Sequence, residues 1–190
     1  MMPLPIRLLR EIPPRLLWKF AVGAGLGNLR AIRRFERRKK RGAVFPPFVF
    51  ISVTQRCNLV CKGCWATGVT RPVDMSPELL HAVVTGSRTQ GCRFFGILGG
   101  EPLLLPWLTD FFGAHRDSYF QLFTNGQLLD DAAARRLRES GNVSPLISIE
   151  GGDSASYAAR RGEGHAYGTA LEALACCRRH GLVTGVATSV

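Results

Sequence analysis

Phe48-Val-Phe-Ile-Ser-Val-Thr54 runs through Gln55-Arg56 into Cys57-Asn-Leu-Val-Cys61-Lys-Gly-Cys64. The first seven residues are a short apolar run rich in β-branched and aromatic side chains, which predicts a buried strand. Three cysteines then fall within eight positions on the loop that follows. Outward from this stretch a beat appears. Ser76–Gln90 reads as a helix, with Ser76 as its cap and Pro77 at its first position. Strands are expected at Arg93–Leu98, Tyr119–Phe123, Pro145–Glu150 and Val183–Val190, and helices at Leu104–His115, Asp130–Ser140 and His165–His180. Strands alternating with helices predict parallel βα units with right-handed crossovers. The expected fold class is α/β, a partial βα barrel of about five parallel strands and four helices.

Composition narrows the classes. The chain has 190 residues, 46% apolar and 21% charged, which excludes a wholly disordered or fibrous protein. No window of about 18 residues is free of charge, which argues against a conventional membrane span. The net charge of +11 is unevenly placed. Residues 1–42 hold 12 Lys/Arg and 2 Asp/Glu, leaving only 13 and 12 of the chain's 25 basic and 14 acidic residues to positions 43–190. The expected division is therefore a basic helical arm, 1–42, and a core, 43–190. Within the arm, Leu17, Phe20, Ala24, Ala31 and Phe35 fall near helical spacing over 14–41. Gly23, Gly25 and Gly27 weaken that helix by about 1 kcal/mol each. Arg37-Arg38-Lys39-Lys40-Arg41 ends at Gly42, and Pro46-Pro47 marks the join. A signal peptide is not indicated, because Lys19 abuts the short apolar stretch and no small-residue cleavage site follows. Such an arm suits an anionic membrane surface better than nucleic acid, and a solvated helix packed on the core is the plain alternative.

The polar residues gather at strand ends. Thiolates are soft ligands for iron or zinc. Three of them leave one iron of a four-iron cluster open, whereas a structural zinc site wants a fourth protein ligand, for which His81 and Cys92 are the candidates. After the second strand comes Gly99-Gly100-Glu101-Pro102. Paired glycines let backbone approach a ligand, and Glu101 offers a carboxylate to a cationic amine. After the third strand comes Thr124-Asn125-Gly126. On the fourth, Ser148 and Glu150 share one side. On the fifth, Thr188 and Ser189 lie near the end. All these positions fall on the C-terminal rim, where βα barrels build their sites.

At this point the chain resembles the radical S-adenosylmethionine (radical SAM) superfamily from Phe48 to Val190. The resemblance rests on Cys57-x3-Cys61-x2-Cys64 and Gly99-Gly100-Glu101-Pro102, with Thr124-Asn125-Gly126 and Ser148-Ile-Glu150-Gly151 in support. The spacing is similar to that of members with a C-terminal auxiliary-cluster domain of the SPASM or twitch kind. The resemblance implies an oxidoreductase-type enzyme core. Cys57, Cys61 and Cys64 would hold a [4Fe–4S] cluster, whose fourth iron takes S-adenosylmethionine. Gly99, Gly100 and Glu101 would meet the methionyl amino group, largely through backbone, and Pro102, Thr124 and Asn125 belong to the same cofactor-binding set. Ser148, Glu150 and Ser189 would lie near the ribose or the methionyl carboxylate. One electron, from a donor such as flavodoxin or ferredoxin, would cleave the sulfonium, and the 5′-deoxyadenosyl radical would take hydrogen from an unknown peptide or small-molecule substrate. No residue is assigned to the substrate chemistry.

Two departures from the family pattern stand out. The residue before the third cysteine is often aromatic; here it is Gly63, and Trp65 follows instead. The family core usually has six βα units, so five strands lead to the expectation of a fragment, or of a chain completed by another. The clustered thiols favour a reducing cytoplasm, with peripheral membrane contact through the arm. Cys92, Cys176 and Cys177 read as packed thiols, the four histidines as surface or satisfied residues, and Arg160-Arg161-Gly162 as a solvated loop, with a phosphate or carboxylate contact on the substrate side as the lesser alternative. The rival reading is a non-catalytic zinc module with a basic membrane or nucleic-acid anchor.

Overall fold

The computed structural model describes residues 10, 12–42, 44–162 and 164–188. Two helices come first, α1 (Pro14–Phe20) and α2 (Asn28–Lys39), joined without a break by a π-helical segment, Ala21–Gly27. The expected glycines are present in that segment, and they mark where the winding loosens. Five parallel strands follow, side by side in chain order: β1 (Phe48–Ser52), β2 (Phe94–Leu98), β3 (Tyr119–Thr124), β4 (Val143–Ser148) and β5 (Gly185–Ala187). Parallel neighbours need crossovers. These are made by α3 (Pro77–Thr89), α4 (Leu108–Ala114), α5 (Asp131–Ser140), and the pair α6 (Ser154–Arg161) and α7 (His165–Arg179). Among the described residues the sheet stays open, with β1 and β5 at its edges.

Local chemistry explains the boundaries. Ser76 Oγ accepts from the Leu79 N–H at 3.2 Å and Asp130 Oδ1 from Ala133 at 2.8 Å, each capping a helix. Gly141, at φ 68°, ends α5 in the left-handed region. The helix expected over Leu104–His115 is divided: Pro102–Leu104 is a 3-10 turn and α4 starts only after Pro106. β4 begins at Val143, two residues before the expected Pro145, and that proline sits within the strand opposite Leu122. Five helices rather than four cover the sheet, because α6 occupies residues expected as loop. Its Asp153 and Ser156 cap each other in a reciprocal box, and Tyr157 is its fully buried anchor. Arg160 and Arg161 are thus the last turn of a helix, not a solvated loop. Of the expected final strand, Gly185–Ala187 is paired; Ser189 and Val190 lie outside the described residues.

Strand alternation gives the sheet two unlike faces. Phe95, Ile97, Phe120, Leu122 and Ile147 point to one face and are fully buried. There they join Leu80, Val84, Leu108, Phe112, Leu137 and Ala170 of the helices in one core. The register places Phe48, Phe50, Gly96, Gln121, Leu146 and Ser148 on the other face. Phe48 and Phe50 remain 46% and 51% exposed there. The helical arm packs at the opposite rim from the cysteine loop. Leu16 and Ala31 are buried, the Phe20 ring lies 5.7 Å from Tyr119 at the start of β3, and Arg38 donates to the Gln90 carbonyl ahead of β2.

Candidate functional site

The cysteine loop leaves the end of β1 along a rigid root. Val53 still donates to the Leu98 carbonyl, at 2.9 Å. Thr54 Oγ1 donates to Asp74 Oδ1 at 2.6 Å, and Arg56 forks onto the same carboxylate through Nε at 3.0 Å and Nη2 at 2.5 Å. That guanidinium holds the Asp74 carboxyl below its usual range, with the Thr54 hydroxyl adding to the effect. Two more bonds come from the turn after β2: Gly100 N–H donates to the Thr54 carbonyl and Glu101 N–H to that of Arg56, both at 2.8 Å.

Both glycines let the cysteine loop approach the turn closely. A Cβ on Gly99 would lie 2.5 Å from the Thr54 oxygen. One on Gly100 would lie 2.1 Å from the Arg56 oxygen and 3.0 Å from Cys57 Cβ. The space freed by the missing side chains is filled by the cysteine loop. What the turn leaves for a ligand are acceptors: the Gly99 and Gly100 carbonyls take no hydrogen bond from the described residues.

Glu101 is likewise engaged within the chain. It is fully buried. Oε1 accepts from Leu103 N–H at 3.0 Å and Thr124 Oγ1 at 2.8 Å, and Oε2 from Asn125 N–H at 2.8 Å. Burial pushes its carboxyl upward, against the pull of these three donors and of Arg161. The carboxylate laces the β2 turn to the β3 turn. Pro102, also buried, starts the 3-10 turn behind it. Asn125 carries the lacing onward: its Nδ2 donates to Asn58 Oδ1 at 2.8 Å and lies 3.8 Å from Cys57 Sγ.

Cys61 and Cys64 open on a cavity of about 260 Å³ that they line with Gly63, Glu150, Arg160 and Arg161. Arg161 Nη2 meets Glu150 Oε1 at 3.1 Å while Nη1 lies 3.8 Å from Cys61 Sγ. Lys62 N–H donates to the Arg160 carbonyl at 2.8 Å, so the end of α6 clamps the loop from its other side. Cys57 is half-buried. Burial raises its thiol, with smaller contributions from Glu101, Cys61 and Cys64, which places the three cysteines and that carboxylate in one electrostatic neighbourhood.

The donor set fits a cluster better than a single ion. Cys57, Cys61 and Cys64 supply three thiols to one loop. A structural zinc site wants a fourth protein ligand, whereas a four-iron cluster held by three thiolates leaves one iron open. The two candidates for a fourth zinc ligand are elsewhere. Cys92 is buried ahead of β2, at the far end of the sheet, with its Sγ on the Phe94 carbonyl. His81 Nδ1 is 2.6 Å from His115 Nε2, in a histidine pair beside Phe111. Cys176 and Cys177 are buried thiols of α7, pushed up by burial to about 11 and about 12.

Thus Cys57, Cys61, Cys64, Glu101, Thr124, Asn125 and Glu150 come together. Ser148 is half-buried, pairs with Ala187, and is not part of the cavity wall. Ser189 lies outside the described residues. Asn58 is a site residue that the sequence reading did not single out, and Arg161 is one it read chiefly as part of a loop. The signal for Arg161 is the Asp153-x2-Ser156 cap, which would have placed the arginine on a helix.

With this geometry in view, comparison with known proteins gives the class. The family model described as the Radical SAM superfamily matches residues 51–190. The chain belongs to that superfamily. Among curated proteins, the pre-heme d1 synthase of Dinoroseobacter shibae is 34% identical over 149 residues, covering 74% of this chain and 35% of the relative. The AdoMet-dependent heme synthase of Nitratidesulfovibrio vulgaris is 28% identical over 142 residues, covering 73% and 39%. The chain therefore spans less than half the length of these relatives. Among solved structures, Streptococcus suis SuiB bound to S-adenosylmethionine superposes with a TM-score of 0.69 at 18% identity, over 83% of this chain and 38% of SuiB. The shared fold is the partial, unclosed α/β barrel described above.

Proposed function

We propose that this chain holds a [4Fe–4S] cluster through Cys57, Cys61 and Cys64 and binds S-adenosylmethionine beside it, as the cofactor-bearing core of a radical SAM enzyme. The observation that carries the reading is the loop itself: three thiols clamped by two strand-end turns and by α6, with both candidate fourth zinc ligands, His81 and Cys92, engaged elsewhere. When bound, the cluster supplies one electron that cleaves the sulfonium carbon–sulfur bond, giving methionine and a 5′-deoxyadenosyl radical for hydrogen abstraction. The protein's part is placement. The free carbonyls of Gly99 and Gly100 accept from the methionyl ammonium, and Arg161, lining the cavity beside Cys61 and Cys64, meets a carboxylate. Asn125 holds the loop at Cys57. A peptide or small-molecule substrate meets the inner face of the sheet, where Phe48 and Phe50 are half exposed. The electron comes from a small one-electron carrier such as flavodoxin or ferredoxin. The unbridged thiols suit the cytoplasm.

Anaerobic reconstitution tests this directly. The expected product is brown and holds about four irons and four sulfides per chain, and its reduced paramagnetic resonance signal changes on adding S-adenosylmethionine. Cys61→Ala should lose the iron. Arg161→Ala should keep the iron and weaken the response to S-adenosylmethionine. A colourless chain that binds zinc without sulfide, or a Cys61→Ala protein with full iron, overturns the proposal.

A further inference from the structure

The helical arm has a second apolar face that the core does not use. Its core-facing positions, Leu16, Phe20, Ala31 and Arg38, are accounted for by the contacts above, and Gly23 lies against Tyr119, where a Cβ would come within 2.8 Å of the ring. On the rest of the surface, Trp18 is 69% exposed, Leu26 50%, Leu29 52% and Ile32 44%, with Val22 at 36%. Trp18, Val22, Leu26 and Leu29 follow one another at steps of four, four and three residues, so they form a stripe along the arm. Arg33 and Arg37 continue that line at steps of four. Residues 14–42 carry ten Lys/Arg and one acidic residue, Glu36. The outward surface of the arm thus runs from an apolar first part into a strongly cationic second part.

A cavity beside the stripe adds a second observation. About 430 Å³ in volume, it opens between the arm and the start of the sheet, with Val22, Gly23, Arg30, Arg34, Arg93 and Asp117 among its lining. Its one carboxylate, Asp117, is already paired with Arg88 and Arg93. The pocket is therefore net positive, and it shares Val22 with the stripe.

We infer that residues 14–42 form a docking helix for an anionic phospholipid surface. The stripe from Trp18 to Ile32 enters the headgroup–acyl boundary, and lipid phosphates meet Arg30, Arg33, Arg34 and Arg37. An amphipathic helix with a cationic polar face is the form that lies in a bilayer interface. Among the described residues no helix is long and apolar enough to cross one. Nucleic acid would use the arginines and leave the stripe uncovered. A second copy would bring two strongly cationic arms together. The docking is independent of the cluster reading.

The test is co-sedimentation of the full chain with phosphatidylcholine vesicles, with and without phosphatidylglycerol. The wild type should bind the anionic vesicles and bind the neutral ones far less. Leu26→Ser/Leu29→Ser should lower partitioning by about tenfold or more. Arg33→Gln/Arg37→Gln should lower it by about fivefold per charge, on anionic vesicles only. All four side chains are solvent-facing or peripheral, so unchanged melting curves verify the fold of each variant. Failure of the wild type to bind anionic vesicles overturns the inference. So does binding that the leucine variant leaves intact, tighter binding to a nucleic-acid duplex than to vesicles, or a concentration-dependent dimer that the leucine variant dissolves.

Discussion

Replacing Gly100 by alanine separates two accounts of the glycine pair. The new Cβ would stand 2.1 Å from the Arg56 carbonyl oxygen, where ordinary contact begins near 3.4 Å, and 3.0 Å from Cys57 Cβ. Both atoms belong to the cysteine loop, and the nearer is backbone, so the loop must move away from the turn. Overpacking of this kind costs about 1–3 kcal/mol. The two 2.8 Å bonds, Gly100 to Thr54 and Glu101 to Arg56, are strained or lost with it, at about 1 kcal/mol each. The expected destabilisation of the iron-free protein is about 3–5 kcal/mol, which lowers the urea midpoint by roughly 1.5–2.5 M. Iron content after reconstitution should fall in parallel, because the displaced residue is a ligand's own Cβ. Urea unfolding followed by circular dichroism, with iron assayed on the same preparations, reads both quantities. A Gly100→Ala protein with wild-type stability and full iron that has lost only its response to S-adenosylmethionine would refute the reasoning, and would return the glycine to a ligand-clearance role.

Three further outcomes are expected. Gly63 has φ 74° with nothing within 4 Å of its would-be Cβ, so Gly63→Tyr has room but adopts a left-handed backbone; it should cost about 1–2 kcal/mol in thermal unfolding and leave iron binding intact. Glu101→Ala strips acceptors from Leu103, Thr124 and Asn125 and should cost about 3–5 kcal/mol, whereas Glu101→Gln keeps one oxygen and should cost less, a ranking that denaturant melts check. His115 is held below its ordinary 6.5, first by burial and then by His81 and Arg88. Below that ordinary value the unfolded chain takes up the proton more readily than the folded one, so stability is full above pH 6.5 and falls as the pH drops beneath it. His115→Gln should flatten this part of a stability-against-pH curve.

The alternation of apolar runs with capped helices made the sheet legible. Ser76-Pro77 and the positions of the strand-end motifs needed no tertiary knowledge. The short helix α6 was hidden because Ser154-Ala-Ser-Tyr-Ala-Ala offers one large apolar side chain, Tyr157, and one residue has no period. The roles at Gly99–Glu101 were hidden for a different reason. A glycine says that something comes close, but only the fold says whether that is a ligand or another stretch of backbone. A carboxylate after a strand says nothing of which way it turns. Here it turns inward, to the end of β3. The two faces of the arm were also compressed into one in the sequence, where core-facing and outward apolar residues alternate without a label.

The clamp on the cysteine loop has a consequence for the order of assembly. Its contacts lie progressively further along the chain: Asp74, then Gly100 and Glu101, then Asn125, and last Arg160 and Arg161, whose guanidinium reaches back 100 positions to Cys61. A ribosome adding about 5–20 residues per second takes roughly 5–20 s to cover that distance. During that interval the three thiols have emerged, but the segment that fixes their far side has not. Iron and sulfide, if loaded as proposed, would meet an unfinished socket early in synthesis and a finished one only after α6 has emerged. The completion of the socket is timed by the 100 positions between Cys61 and Arg161.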